Sequence, residues 1–312
     1  MTRLMRFLVH GVTVAAAAAI ALTAFCRSAP RSGCAPAIDP AGSRLAYLEY
    51  QRARSGFRLV VEDLATSQRR VLDDDLPSIQ PAWSPDGKLV AYAKVDASLS
   101  AAVSIVNVDS GARRTMSLRA NGLTIALAWM SADRLVVGAG DTLEVLDIAT
   151  GTVVSSRDLG EFHLQPDFAS LSINAAGIAA FAVDSGSVDR RAVWTLALPG
   201  DAVPHPVTEG HDDVSPVWLD DHRILFSRAA APVAVGQLEV SERHLWLIDV
   251  ATKEARQVTT GHVIDGQPAI GSRSVFFTRI DIPARRAKGD REELPDFFSL
   301  AQITSLERKD LR

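Results

Sequence analysis

The 312-residue chain carries 33 Lys and Arg against 37 Asp and Glu, a formal net charge of −4, with 47% hydrophobic and 22% charged residues. That balance excludes a disordered polyelectrolyte and offers no strongly basic surface, so no nucleic-acid partner is expected. Only two cysteines are present, Cys26 and Cys34, too few and too early in the chain for a disulfide framework.

The N-terminus comes first. Arg3 and Arg6 precede an apolar run from Phe7 to Phe25. Basic residues followed by such a run are the pattern of a secretory signal, and the run is also nearly long enough to span a bilayer. Residues 1–26 therefore read as a signal peptide or an N-terminal transmembrane anchor, with cleavage after Ala24-Phe25-Cys26 and retention both open. A lipoprotein reading of Cys26 is disfavoured by bulky Phe25. The positive-inside rule leaves the arginines in the cytoplasm and sends the remainder across. The chain is thus expected to be extracytoplasmic, periplasmic in a two-membrane cell, soluble after cleavage or anchored through residues 7–25. Residues 27–36, with two prolines and a glycine, read as a linker.

From residue 37 the sequence repeats. Gln80-Pro81-Ala82-Trp83-Ser84-Pro85-Asp86-Gly87 leads into Leu89-Val90-Ala91-Tyr92, a short strand, a tight turn and a second strand. The frame recurs at Ile38-Asp39-Pro40-Ala41-Gly42, Trp129-Met130-Ser131-Ala132-Asp133, Ile173-Asn174-Ala175-Ala176-Gly177, Trp218-Leu219-Asp220-Asp221 and Ala269-Ile270-Gly271-Ser272. A second motif follows: Val61-Glu62-Asp63-Leu64-Ala65-Thr66, then Asn107-Val108-Asp109-Ser110-Gly111, Asp147-Ile148-Ala149-Thr150-Gly151 and Asp249-Val250-Ala251-Thr252. Four short strands per unit, at the spacing of a propeller blade, predict an all-β six-bladed β-propeller of four-stranded antiparallel blades. The expected blades are 37–79, 80–124, 125–165, 166–212, 213–264 and 265–312.

The Trp-Ser-Pro-Asp-Gly and Asp-x-Ala-Thr-Gly elements resemble the WD40-like (PD40) repeats of the TolB propeller family. The resemblance covers nearly everything after Pro36, strongest in the second unit. It implies a cell-envelope role through protein contacts. The α/β domain that precedes the propeller in that family has no counterpart between residues 26 and 36.

No Gly-x-Ser-x-Gly, His-Glu-x-x-His, phosphate-binding loop or dinucleotide fingerprint occurs. Neither a catalytic residue nor a cofactor is expected. Trp83, Trp129 and Trp218 share one repeat position, and Trp194 and Trp246 another, which marks inter-blade packing. His211, Asp212, Asp213, His262 and Asp265 fall in equivalent loops between blades, and Asp73, Asp74 and Asp75 occupy the same place after blade one. Gathered at one mouth of the channel, these carboxylates and imidazoles could bind a divalent cation. The simpler reading is that they cap loop backbone, and no metal is expected. Arg285, Arg286, Lys288 and Arg291 lie in a long connection of blade six, Arg52 and Arg54 in its blade-one equivalent, and Ala229–Arg243 forms a further long loop. They form a basic arc suited to an acidic partner segment or a membrane surface.

The sequence thus reads as a non-enzymatic envelope interaction scaffold whose partner is one or more envelope proteins. The alternative is a propeller enzyme, a metal-dependent lyase or lactonase acting on small acidic sugars at the channel mouth. A sensor ectodomain that signals through a partner is a third reading.

Overall fold

The computed structural model describes residues 33–303 apart from 52–55, 78, 96–99, 122–124, 163, 185–190, 236–237, 273 and 283–298. Its strands form successive antiparallel sheets. The first holds β1 (Gly33–Ile38), β2 (Arg44–Gln51), β3 (Gly56–Asp63) and β4 (Arg69–Leu76). The second holds β5 (Ala82–Trp83), β6 (Leu89–Val95), β7 (Ser100–Asn107) and β8 (Arg113–Asn121). The third holds β9 (Ile125–Ser131), β10 (Arg134–Ala139), β11 (Thr142–Asp147) and β12 (Val153–Asp158). A fourth, after a single 3-10 turn at Gly160–Phe162, holds β13 (Gln165–Ile173), β14 (Ile178–Asp184), β15 (Ala192–Ala197) and β16 (His205–Pro206).

The last sheet has seven strands: β17 (Asp213–Trp218), β18 (Arg223–Val235), β19 (Leu238–Asp249), β20 (Ala255–Gln257), β21 (Val263–Ile270), β22 (Val275–Asp281) and β23 (Ser299–Ile303). This corrects the expectation of six separate blades: the described strands make five sheets. The fifth and sixth repeat units merge because β20 covers only Trp246–Ile248 of β19, leaving its edge open where Arg243 bridges Ile264 of β21 in parallel.

The two sequence motifs are turn devices. In the first, Asp86 accepts hydrogen bonds from Ser84 Oγ (2.6 Å) and the Lys88 amide (3.1 Å), while Gly87 adopts φ +71°. Such a φ disfavours any residue with a Cβ. In the second, Asp63 accepts from the Thr66 amide and Thr66 Oγ1, both at 2.8 Å, and Asp147 and Asp249 repeat the bond to Thr150 and Thr252. The acid closes the turn that sends the chain into the outermost strand.

Packing joins the sheets face to face. Trp83, Trp129 and Trp218 occupy one register position, opposite Val90, Leu135 and Ile224, and Ile38, Ile173 and Ile270 fill it in the other units. The three tryptophans are buried, and Trp83 Nε1 donates to Ala37 O and Trp129 Nε1 to Ala82 O, each 3.0 Å away in the preceding sheet. Outer-strand arginines repeat the linkage further out: Arg70 bonds the Val108 carbonyl and Arg114 the Ile148 carbonyl of the next turn.

The ring closes by packing. Ile38, Leu45, Tyr47 and Val60 of the first sheet meet Ala269 and Phe276 of the last, and the Ala35 amide donates to Gln267 Oε1 at 3.0 Å. Among the described residues no sheet takes strands from both ends of the chain. Closure by Leu306–Leu311 lies outside the described residues. Strand β1 begins at Gly33, inside the stretch expected as a linker. Pro36 fits a strand there because it sits in a bulge: Ala35 takes φ +52° and the register shifts between Cys34 and Ala37.

Candidate interaction face

Register fixes which chain segments share one end of the ring. Gly33 opposes Glu49, and Gln51 opposes Gly56, so the start of an inner strand and the connection between the second and third strands lie at the same end. Asp213 opposite Arg228 and Asp265 opposite Arg279 repeat this in the last sheet. Equivalent residues of different units also touch, as Ala35 and Gln267 do, so the units point the same way. The described inner-strand starts and the strand ends that flank these connections therefore share one face of the ring.

On this face the inner strands β17 and β21 carry carboxylates near their starts that are held in ion pairs. Asp213 is fully buried, and Arg228 grips it through Nε (2.7 Å) and Nη2 (2.9 Å) while lying over the Phe226 and Trp246 rings. Asp265, equally buried, is gripped by Arg279 at 2.7 Å twice, and that guanidinium lies over Phe277. Asp212 accepts from Arg191 Nε and Arg243 Nη1, both at 2.5 Å, and Arg191 continues to Asp167 at 2.8 Å. Arg243 also donates to Ser227 Oγ (3.1 Å), whose hydroxyl donates to the Asp265 carbonyl (2.6 Å). A continuous chain from Asp167 to Asp265 thus ties the fourth sheet to both units of the last.

Electrostatics follow from that geometry. Burial tends to raise the Asp212 pKa, but the hydrogen bonds and charges of Arg191 and Arg243 outweigh it and hold the carboxyl below its ordinary value. Asp73 behaves alike: burial opposes ionisation, and Lys94 (2.6 Å), Tyr92 OH (2.6 Å) and the Asp74 amide overcome it. Both groups ionise more readily folded than unfolded, where the carboxyl pKa is about 3.9. Their stabilisation is complete above about pH 4 and is lost as pH falls through the lower folded values. The expected result is acid unfolding beginning below about pH 4. Urea melts of Asp212→Asn should show a deficit against the parent protein that is largest near neutrality and shrinks in acid; a constant deficit would exclude the ion-pair origin.

The residues singled out in the sequence do not form one cluster. Asp212, Asp213 and Asp265 share the arginine chain. Asp73 and Asp74 sit on β4, where Asp74 accepts from Gln51 Nε2 at 2.5 Å, and Asp75 lies where side chains are outside the description. His262 is 72% exposed and bonds Glu242 Oε1 at 2.6 Å. His211 is exposed and lines a separate groove of about 370 Å³ with Glu209, Arg228 and Lys253. Among the described residues no group of three or more His, Cys, Asp or Glu could hold a metal ion. Arg52, Arg54, Arg285, Arg286, Lys288 and Arg291 lie outside the described residues, as do residues 7–25; no described helix is long and apolar enough to cross a membrane. Ala229–Arg243 is not a loop: β18 and β19 continue through it as a paired ribbon.

Sequence reasoning missed the arginines. A signal existed, because Phe226-Ser227-Arg228 and Phe277-Thr278-Arg279 stand at equivalent places in β18 and β22, in register with Asp213 and Asp265.

The inner strands of all six units enclose a central cavity of about 220 Å³ whose described lining holds no ionisable side chain. Trp83 and Trp129 contribute to its wall, as do Ser172, Ser215 and Ser170, whose buried Oγ has no partner. A charged solute would enter it without a counter-charge, which is costly.

No protein-family model matches the chain. The Tol-Pal system protein TolB of Hahella chejuensis is 41% identical over 75 residues, 23% of this chain and 17% of that protein's length. The solved putative TolB of Agrobacterium tumefaciens superposes with a TM-score of 0.56 at 15% identity, covering 74% of this chain and 82% of that one. The β-propeller domain of the trilobed protease of Pyrococcus furiosus, described as having an open velcro topology, gives a TM-score of 0.53 at 16% identity over 80% of this chain and 78% of that domain. The fold is a TolB-like β-propeller.

Proposed function

We propose that the protein is a non-enzymatic interaction scaffold of the cell envelope, exported by residues 1–26 and working through residues 37–312. One observation carries the reading: on the face where the second strands end and the third strands begin, the inner-strand carboxylates Asp213 and Asp265 are already locked in ion pairs. Locked pairs stiffen a platform and leave specificity to the connections. The TolB relative supports an envelope role. The likeness to a protease propeller carries no activity with it, because fold does not fix function.

In this reading Arg52, Arg54, Arg285, Arg286, Lys288 and Arg291 form the basic arc that grips an acidic segment of an envelope protein. In-cell crosslinking of the C-terminally tagged full chain, followed by mass spectrometry, should return a reproducible envelope partner. Replacing Arg285, Arg286 and Arg291 together by glutamate should abolish its recovery. Undiminished recovery would refute the arc, and a chain with no partner at all would refute the scaffold.

A further inference from the structure

A second repeat lies just ahead of the tryptophan and isoleucine layer of the inner strands. Two residues before Ile38, Trp83, Trp218 and Ile270 stands a proline: Pro36, Pro81, Pro216 and Pro268. Three residues before the layer the position is polar in four of the six units: Gln80, Ser170, Ser215 and Gln267. Strands β1, β5, β9, β13 and β17 each have one strand neighbour among the described residues, and their other edges border the central cavity. Proline suits such an edge because it lacks the ladder donor. The polar position falls within a register shift at Ser170, Ser215 and Gln267, and Ala35, Ser215 and Gln267 share φ values of +52°, +53° and +49° there. Bulges of this kind re-aim a side chain away from the ordinary pleat.

Two of the four polar residues are used by the fold. Gln80 Nε2 donates to the Pro36 carbonyl at 2.7 Å, and Gln267 Oε1 accepts from the Ala35 amide and from Thr278 Oγ1, both at 3.0 Å. Ser172, nearer the layer, accepts from the Trp218 amide at 3.0 Å. Ser170 is different. It is 7% exposed, it lines the cavity, and its Oγ has no partner. Ser215, also buried, lines the same cavity. A buried hydroxyl left without a partner is costly, and it points to an occupant that supplies one.

The wall restricts what that occupant is. Charge is disfavoured: no described lining side chain is ionisable, and Asp213 and Asp265, two residues ahead of Ser215 and Gln267, are already neutralised by Arg228 and Arg279. A purely apolar molecule would leave Ser170 unpaired. The volume of about 220 Å³ lies below the roughly 300–1,000 Å³ of sites for drug-sized ligands. Water alone would rest against alanine methyls, proline rings and the indoles of Trp83 and Trp129, surfaces that offer it few hydrogen bonds. The molecule that fits is small and uncharged, with C–H surface and hydroxyls distributed around its perimeter. We infer that the central channel is a binding site for a neutral monosaccharide, held at the level of Ser170 and Ser215 and entered from the face where the inner strands begin. This function is additional to the protein contacts proposed above and does not depend on them.

The test is calorimetric titration of the full chain, purified without sugar-headed detergent. The probes are D-glucose, D-galactose, D-mannose and N-acetyl-D-glucosamine, with D-glucuronate as a charged counterpart of similar size. Saturable binding at one site per chain is expected for at least one neutral sugar, and none for glucuronate. Ser170→Ala should weaken that binding roughly tenfold. It should melt no lower than the parent protein, because it removes an unpartnered hydroxyl. Adding Ser215→Ala should abolish the binding, and the fold tolerates it because alanine already holds this position at a similar φ in Ala35. Failure of all four neutral sugars to bind, leaving water as the occupant, overturns the site. Binding that the double variant leaves unchanged overturns it equally, by placing the sugar elsewhere. Glucuronate binding as tightly as glucose overturns the assignment of an uncharged ligand. Recovery of a crosslinked envelope partner is a separate outcome that bears on the scaffold alone.

Discussion

Replacing Arg243 with methionine is expected to destabilise the fold by about 3–5 kcal/mol in urea unfolding, far more than a surface arginine would. The guanidinium is nearly enclosed, with its side chain 14% exposed, and it donates to the Asp212 carboxylate and carbonyl and to both oxygens of Ser227. Removing it leaves the half-buried Asp212 carboxylate with Arg191 alone and deprives the Asp212 and Ser227 carbonyls of a donor, and such deletions cost more than the intact pair contributes. The loss also falls where the fifth and sixth units join, since Arg243 is the residue through which β19 meets β21. Burial lowers the Arg243 pKa, yet Asp212 keeps the group charged. Arg243→Lys should recover only part of the stability, because a single ammonium cannot reproduce the fork. A double-mutant cycle of Arg243→Met with Asp212→Asn should show non-additive costs, because the two side chains bond directly; asparagine suits the positive φ of +54° at that site. A single-mutant effect below about 1 kcal/mol would mean that the chain of ion pairs is incidental to stability.

Truncating Trp129 to alanine is expected to cost about 3–5 kcal/mol, through lost burial and the cavity left between the second and third sheets. Trp129→Phe isolates the hydrogen bond to Ala82 O and should cost about 1 kcal/mol beyond its change in packing. Trp218 gives an internal comparison. It occupies the same register position, is 7% exposed, and its Nε1 has no hydrogen-bond partner. Trp218→Phe relieves a buried unsatisfied donor and should therefore cost less than Trp129→Phe. Equal costs for the two phenylalanine variants would remove the hydrogen bond from the account and leave packing alone.

Both expectations bear on the reading of the protein as a scaffold. A propeller presents loops usefully only if adjacent sheets do not slide. In this ring sliding is opposed by tryptophan and isoleucine layers near the axis, and by the Asp–Arg chain at the face where the inner strands begin. Asp212, Asp213 and Asp265, three of the carboxylates that looked in the sequence like a convergent site, are engaged in ion pairs at that face. His211 and His262, which looked like their partners, stay at the surface with Glu209 and Glu242 as neighbours.

The repeat, its turns and its packing layer are legible in the amino-acid order alone. Those depend on neighbours a few residues apart: Asp86 closing its own turn, Gly87 supplying a positive φ, Asp63 and Asp147 capping the next reversal. Tryptophans at one repeat position announced their burial because a side chain repeated in register must meet the same surroundings in each unit. The remaining features depend on groups that folding brings together from distant parts of the chain. The merging of the last two units turns on one parallel bridge between Arg243 and Ile264, exposed by the shortness of β20. The start of β1 at Gly33 depends on a bulge that accommodates Pro36, and the stretch from Ala229 to Arg243 became a ribbon through cross-strand pairing that local composition does not dictate. Charge partners are the extreme case. Asp212 was visible as an acid, but Arg191 and Arg243, 21 and 31 residues away in opposite directions, make it a structural one, and only the folded register supplies them.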